Sequence, residues 1–62
     1  MNVLDIVIKE IRDEIERLKD DLAVGSPEDY AAYKYVTGII NGLWRAESYV
    51  VELNKKLEEF DE

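Results

Sequence analysis

The sequence has no cysteine, no histidine, a single proline and three glycines. Without cysteine no disulfide can brace the chain, and without either residue the usual transition-metal sites lose their best ligands. No nucleophile stands beside a histidine base, and no glycine-rich loop could cradle a phosphate. The carboxylate-and-histidine pattern of di-iron helical bundles fails for the same reason. The expectation is a protein that is not an enzyme and that carries no cofactor and no metal. Apolar runs are also short: none approaches the roughly 20 residues that would span a bilayer. The N-terminus lacks the basic stretch before an apolar core that marks a secretory signal, and the absence of cysteine fits synthesis inside a cell. Basic side chains are few, 8 Lys and Arg against 15 Asp and Glu, for a net charge of −7. Direct binding to a phosphate backbone needs clustered basic residues, so that class is set aside.

What is present is helical periodicity, and it is strongest in the second half. Ser26 is placed as an N-cap, with Asp29 three residues on as the acidic half of a capping box. Pro27 falls at the first helical position, where its missing N–H costs nothing. Glu28 and Asp29 set negative charge against the positive end of the helix dipole. From there Ala32, Val36, Ile39, Leu43, Ala46, Val50, Leu53, Leu57 and Phe60 follow one another at alternating steps of four and three. That heptad rhythm keeps one face toward a partner along the whole length. A second seam runs beside it through Tyr30, Tyr33, Thr37, Ile40, Trp44, Glu47 and Val51, about 100° further round the helix. Gly38 and Gly42 each cost about 1 kcal/mol relative to alanine in a helix interior. They are either tolerated weak points or a place where another backbone comes close.

The first half carries a simpler pattern. Asn2 is placed to cap a helix whose apolar face is Leu4, Ile8, Ile11, Ile15, Leu18 and Leu22. The opposite face is charged, with Asp5–Lys9 and Asp13–Arg17 spaced for pairing one turn apart. Val3, Ile6 and Val7 add apolar surface off that face, which calls for a second neighbour at this end. Gly25 can take the left-handed conformation that ends a helix, and Pro27 holds Ser26 extended. Val24 is expected to pack over the loop. So short a connection makes the two helices antiparallel neighbours.

The expected fold is therefore all-α: one domain, residues 1–62, an antiparallel two-helix hairpin with unequal arms at about 3–23 and 27–60. Counting back from the bend sets Leu4 opposite Tyr49 and Val50. Residues beyond Val51 then extend past the first helix, although Leu53, Leu57 and Phe60 continue the apolar seam. Sixty-two residues lie near the lower limit of what folds alone, and such scaffolds usually need a staple. With disulfides and metals set aside, assembly with other helices or copies remains. The expected partner surface is Tyr30, Tyr33, Ile40, Trp44, Val51, Leu53, Leu57 and Phe60. Trp44 and the tyrosines suit it as large amphipathic anchors. Glu47, the one charge within the second seam, would pair with Arg45 or Lys34 of a neighbouring chain or lie at the rim of the contact. Asp20, Asp21, Glu28 and Asp29 gather near the bend, but their spacing matches no calcium loop. The acidic tail, Glu58 to Glu62, meets the negative end of the helix dipole and is expected to fray.

The stretch Asp29-Tyr30-Ala31-Ala32-Tyr33-Lys34-Tyr35-Val36-Thr37-Gly38-Ile39-Ile40-Asn41-Gly42-Leu43 resembles a pattern in very small helical proteins of tailed bacteriophages. The shared features are an acidic-aromatic opening, a tyrosine–basic–tyrosine segment, and two glycines four apart ahead of a leucine. The resemblance covers roughly residues 25–53 and is weaker in the first helix. It implies a phage origin, synthesis in the host cytoplasm, and a role as a short helical piece present in several copies. On that basis the expected function is a non-enzymatic structural or assembly component of a phage particle. It would bind itself or a larger virion protein by helix packing, with no nucleic acid or membrane as direct partner. The alternative is a small acidic phage inhibitor that covers the basic, nucleic-acid-binding surface of a host defence protein. Basic residues interspersed along the first helix dilute the negative field that this alternative needs.

Overall fold

A computed structural model describes residues 2–60, without the side chain of Phe60. Two helices, α1 (Val3–Ala23) and α2 (Tyr30–Phe60), run antiparallel as a hairpin. The first has 21 residues and the second 31. The rod they form measures 51 × 17 × 12 Å. The all-α hairpin with unequal arms is the architecture the periodicity called for.

α1 begins where expected and more firmly. Asn2 Oδ1 accepts from the Asp5 backbone N–H at 2.9 Å, and Asp5 Oδ2 accepts from the Asn2 backbone N–H at 3.1 Å. This reciprocal capping box satisfies two donors that a helix start otherwise leaves open. It also takes Asp5 away from Lys9, which instead donates to Asp13 at 2.8 Å. That hydrogen bond, together with the charge of Asp13, holds the Lys9 amine above its ordinary pKa. Arg17 likewise turns to Glu14 and Asp21 rather than to Asp13.

α1 ends in a Schellman motif. Ser26 N–H donates to the Asp21 carbonyl and Gly25 N–H to the Leu22 carbonyl, both at 3.1 Å. Gly25 sits at φ +77°, the left-handed position for which glycine has no Cβ penalty. Val24 is left exposed by this turn and does not pack over the loop.

The start of α2 is a correction. The helix opens at Tyr30, not at Pro27, and its cap is Asp29, not Ser26. Asp29 Oδ1 accepts from Ala32 N–H at 2.8 Å, and its carbonyl accepts from Tyr33 N–H at 3.0 Å. The cause lies in the preceding turn. Ser26 is the last residue of the Schellman motif, so Pro27 and Glu28 are spent reversing the chain. Asp29, as good a cap as serine, takes over the role.

Three residues of extra loop slide α2 along α1. Asn54, not Tyr49 or Val50, therefore lies against the start of α1. Its Oδ1 accepts from Asn2 Nδ2 at 2.9 Å, and its Nδ2 donates to Asp5 Oδ1 at 3.0 Å. The part of α2 that extends past α1 is shortened by the same amount and begins after Asn54.

The core is small. Ile15, Leu18 and Ile40 form its centre, with Ile11, Leu22, Val36, Ile39 and Leu43 packed around them. Ile8 is buried further along α1, and among the described residues no large side chain is wholly enclosed. On α2 the stripe that meets α1 is Val36, Ile40, Leu43, Glu47 and Asn54. It lies between the two seams read from the sequence, so α1 half-covers each and fully covers neither. Among the described residues, no helix is long and apolar enough to cross a membrane.

Candidate functional site

The eight residues expected at a partner surface do not form one surface. Ile40 is removed from it altogether: at 5% exposure it is the α2 residue most deeply set in the hairpin core. The physical reason is the one just given, since α1 packs into the furrow between the seams and Ile40 lines that furrow. The side chain of Phe60 lies outside the described residues, as do Asp61 and Glu62 of the tail. The other six divide between opposite flanks of the rod.

One flank carries Tyr30, Tyr33, Trp44 and Val51. The rings of Tyr30 and Tyr33 lie 6.4 Å apart and tilted, a loose aromatic pair at the opening turn of α2. Trp44 is 48% exposed and stands between two shallow clefts. In one, of about 240 Å³, Lys19, Leu22, Thr37, Ile40 and Asn41 surround its ring. In the other, of about 400 Å³, it faces Arg12, Ile15, Glu16 and Glu47. Val51 is half-buried near the open end.

Glu47 belongs to this flank and is paired within the chain. Arg12 Nε of α1 donates to its Oε1, so the neighbouring-chain cations Arg45 and Lys34 are not needed to explain it. The pair bridges the two helices beside Trp44. Its arginine side is largely exposed, while the Glu47 side chain is 18% exposed.

The other flank carries Leu53 and Leu57, 48% and 44% exposed. Val3, strongly exposed, lies at the same open end of the hairpin, and Ile6 is half-exposed on the outer side of α1. Two further tyrosines, suited to an interface but outside the eight residues named for it, stand here. Tyr35 and Tyr49 are each 72% exposed, on the outer face of α2, with Gly38 and Gly42 between them. A Cβ built at either glycine meets nothing within 4 Å. The glycines are thus not where α1 approaches α2. They open outward, on the face with the two tyrosines.

The carboxylates near the bend have local duties: Asp29 caps α2 and Asp21 accepts from Arg17. Among the described residues, no three acidic side chains converge as a metal site would require. What the molecule presents is apolar and aromatic surface on two flanks, separated by the charged back of α1. No family model matches the chain, and no curated protein or solved structure matches it.

Proposed function

We propose that the chain is a non-enzymatic assembly module, a small helical component of a tailed-phage particle that works by packing its helices against other helices. The observation that carries this reading is a surplus of surface. The hairpin exposes 4996 Å². A compact monomer of 7.2 kDa would expose about 4100 Å², so the excess is about 900 Å². One side of a standard protein–protein interface buries about 800 Å². Much of the exposed surface is aromatic or aliphatic, of the kind that gains about 25 cal/mol per Å² when removed from water. The phage assignment is supported by the resemblance of Asp29–Leu43 alone. In this reading the Trp44 flank docks a larger particle protein: the indole and its two clefts form an anchor with a charged rim. The acidic outer face of α1 keeps the chain in solution.

Stoichiometric recovery of the chain from purified particles is the expected result of mass spectrometry. Its absence from particles, with recovery instead on a host nucleic-acid-binding protein, would overturn the structural role. Trp44→Glu is expected to keep the helix content and lose incorporation. A variant that unfolds outright would show that the indole serves the hairpin's own core. Moderate salt should leave the interaction intact, because an apolar contact is screened little compared with a charge-mimic one.

A further inference from the structure

We propose that a second copy of this chain docks on the outer face of α2, antiparallel to it, with the two-fold axis passing beside Gly42. The inference rests on the assembly reading and names one of its partners.

The face is defined by spacing. Tyr35, Gly42 and Tyr49 recur every seven residues, and Ile39, Ala46 and Leu53 recur every seven beside them. Together they make a stripe of period 3.5, the repeat that lets one helix follow another. The stripe lies about a third of a turn from the furrow that holds α1, at roughly 100° per residue. A helix laid there would extend the hairpin toward a four-helix bundle. Inside the monomer Ile39 leans on the core, but Tyr35, Tyr49 and Leu53 are exposed and the glycines face open space. Two solvent-facing glycines in mid-helix weaken α2 by about 1 kcal/mol each. The monomer gains nothing visible in return.

The stripe is self-complementary about its centre. Reversing the chain direction through Gly42 brings Tyr35 opposite Tyr49 of the second copy, Gly38 opposite Ala46, and Gly42 opposite Gly42. Large side chains then meet at both ends and small ones at the crossing, where the backbones must come closest. A two-fold contact requires this reciprocity. Charge selects the direction. Lys34 and Glu52 lie on the same edge of the stripe, and the reversal sets Lys34 beside Glu52 of the second copy, twice by symmetry. A parallel pairing would carry that edge of the second copy to the far side of the contact and leave Lys34 without Glu52 as a neighbour.

The natural absence of cysteine makes the test clean. Gly42→Cys places a thiol where nothing obstructs it, and mild oxidation is expected to join two chains through it. Tyr49→Cys is expected to stay unjoined, because in the reversed arrangement its mate is Tyr35. Joining by both variants would show a parallel pair and overturn the proposal. Joining instead through Thr37→Cys, which lines the cleft beside Trp44, would move the contact to the other flank and overturn it equally. Sedimentation equilibrium of the unmodified chain should show a dimer. Lys34→Glu should weaken it about tenfold, two attractive pairs having become repulsive. Adding Glu52→Lys should restore it. A chain that stays monomeric at every soluble concentration overturns the pairing while leaving Trp44-dependent docking on a particle protein to stand or fall separately. A dimer of this geometry that is missing from particles would do the reverse.

Discussion

The middle of the hairpin and its open end hold α1 and α2 together by different means. In the middle, Ile15 and Leu18 of α1 close on Ile40 of α2, with a ring of aliphatic neighbours. At the open end the contact is polar. Asn54, 9% exposed, is held by Asn2 and Asp5, the same two residues that cap α1. Apolar contact is strong and indifferent to small slips, because one aliphatic side chain packs much like the next. An amide held from both sides is weaker and tolerates only one register. The middle therefore supplies most of the free energy, and the end decides which residues lie opposite one another. A buried asparagine fixing register at a cost in stability is well attested in coiled coils.

Substitutions can break this division of labour. The largest effect is expected at Ile40→Ala, which empties the centre of the core and should cost about 2–4 kcal/mol. In a chain with so few buried residues that is expected to abolish cooperative thermal unfolding, followed by circular dichroism. Asn54→Ala should cost less, about 1–2 kcal/mol, since Asn2 and Asp5 keep their capping bonds and can turn to water. The sharper substitution is Asn54→Leu. It should raise the melting temperature while allowing α2 to slide, visible as doubled amide signals for Asn2 and Asp5 in an NMR spectrum. If Asn54→Ala proves more damaging than Ile40→Ala, the open end carries the stability and the comparison is reversed. Below both lies Gly25→Ala, which forces an L-residue to φ +77° and should cost roughly 1 kcal/mol by loosening the closed end.

The same contrast explains what could be read from the sequence. The apolar face of α1, the Asn2 cap, the glycine stop and the antiparallel pairing all follow from local rules and were legible. The register was not, because two good caps, Ser26 and Asp29, stand three residues apart. The choice between them depends on a turn geometry that neither announces. That slip moved the partner of the α1 start from Tyr49 and Val50 to Asn54. The identity of the inward stripe was hidden for a related reason. α2 has two adjacent apolar seams, and periodicity alone cannot say that α1 settles between them. Ile40 was therefore assigned to an outer surface and is found in the core. Among the residues expected outside, Trp44, Leu53 and Leu57 are exposed, yet on different flanks, a separation that depends on where α1 lies.

The smallest effect expected is also the one that separates the middle from its own edge. Arg12 and Glu47 bridge the helices one turn along α2 from Leu43, beside the apolar core yet open to water on the arginine side. An ion pair of that kind contributes at most about 1 kcal/mol once screening and side-chain ordering are counted. Arg12→Gln should therefore shift the melting temperature slightly, and less as salt is added. Glu47→Gln removes the better shielded partner and leaves the largely exposed Arg12 to water. Arg12→Gln, which strands the better shielded carboxylate, should then be somewhat the harsher of the two. If Glu47→Gln were the harsher by several-fold, Glu47 would be holding register as Asn54 does. The polar grip on α2 would then extend from the open end to within a turn of the core.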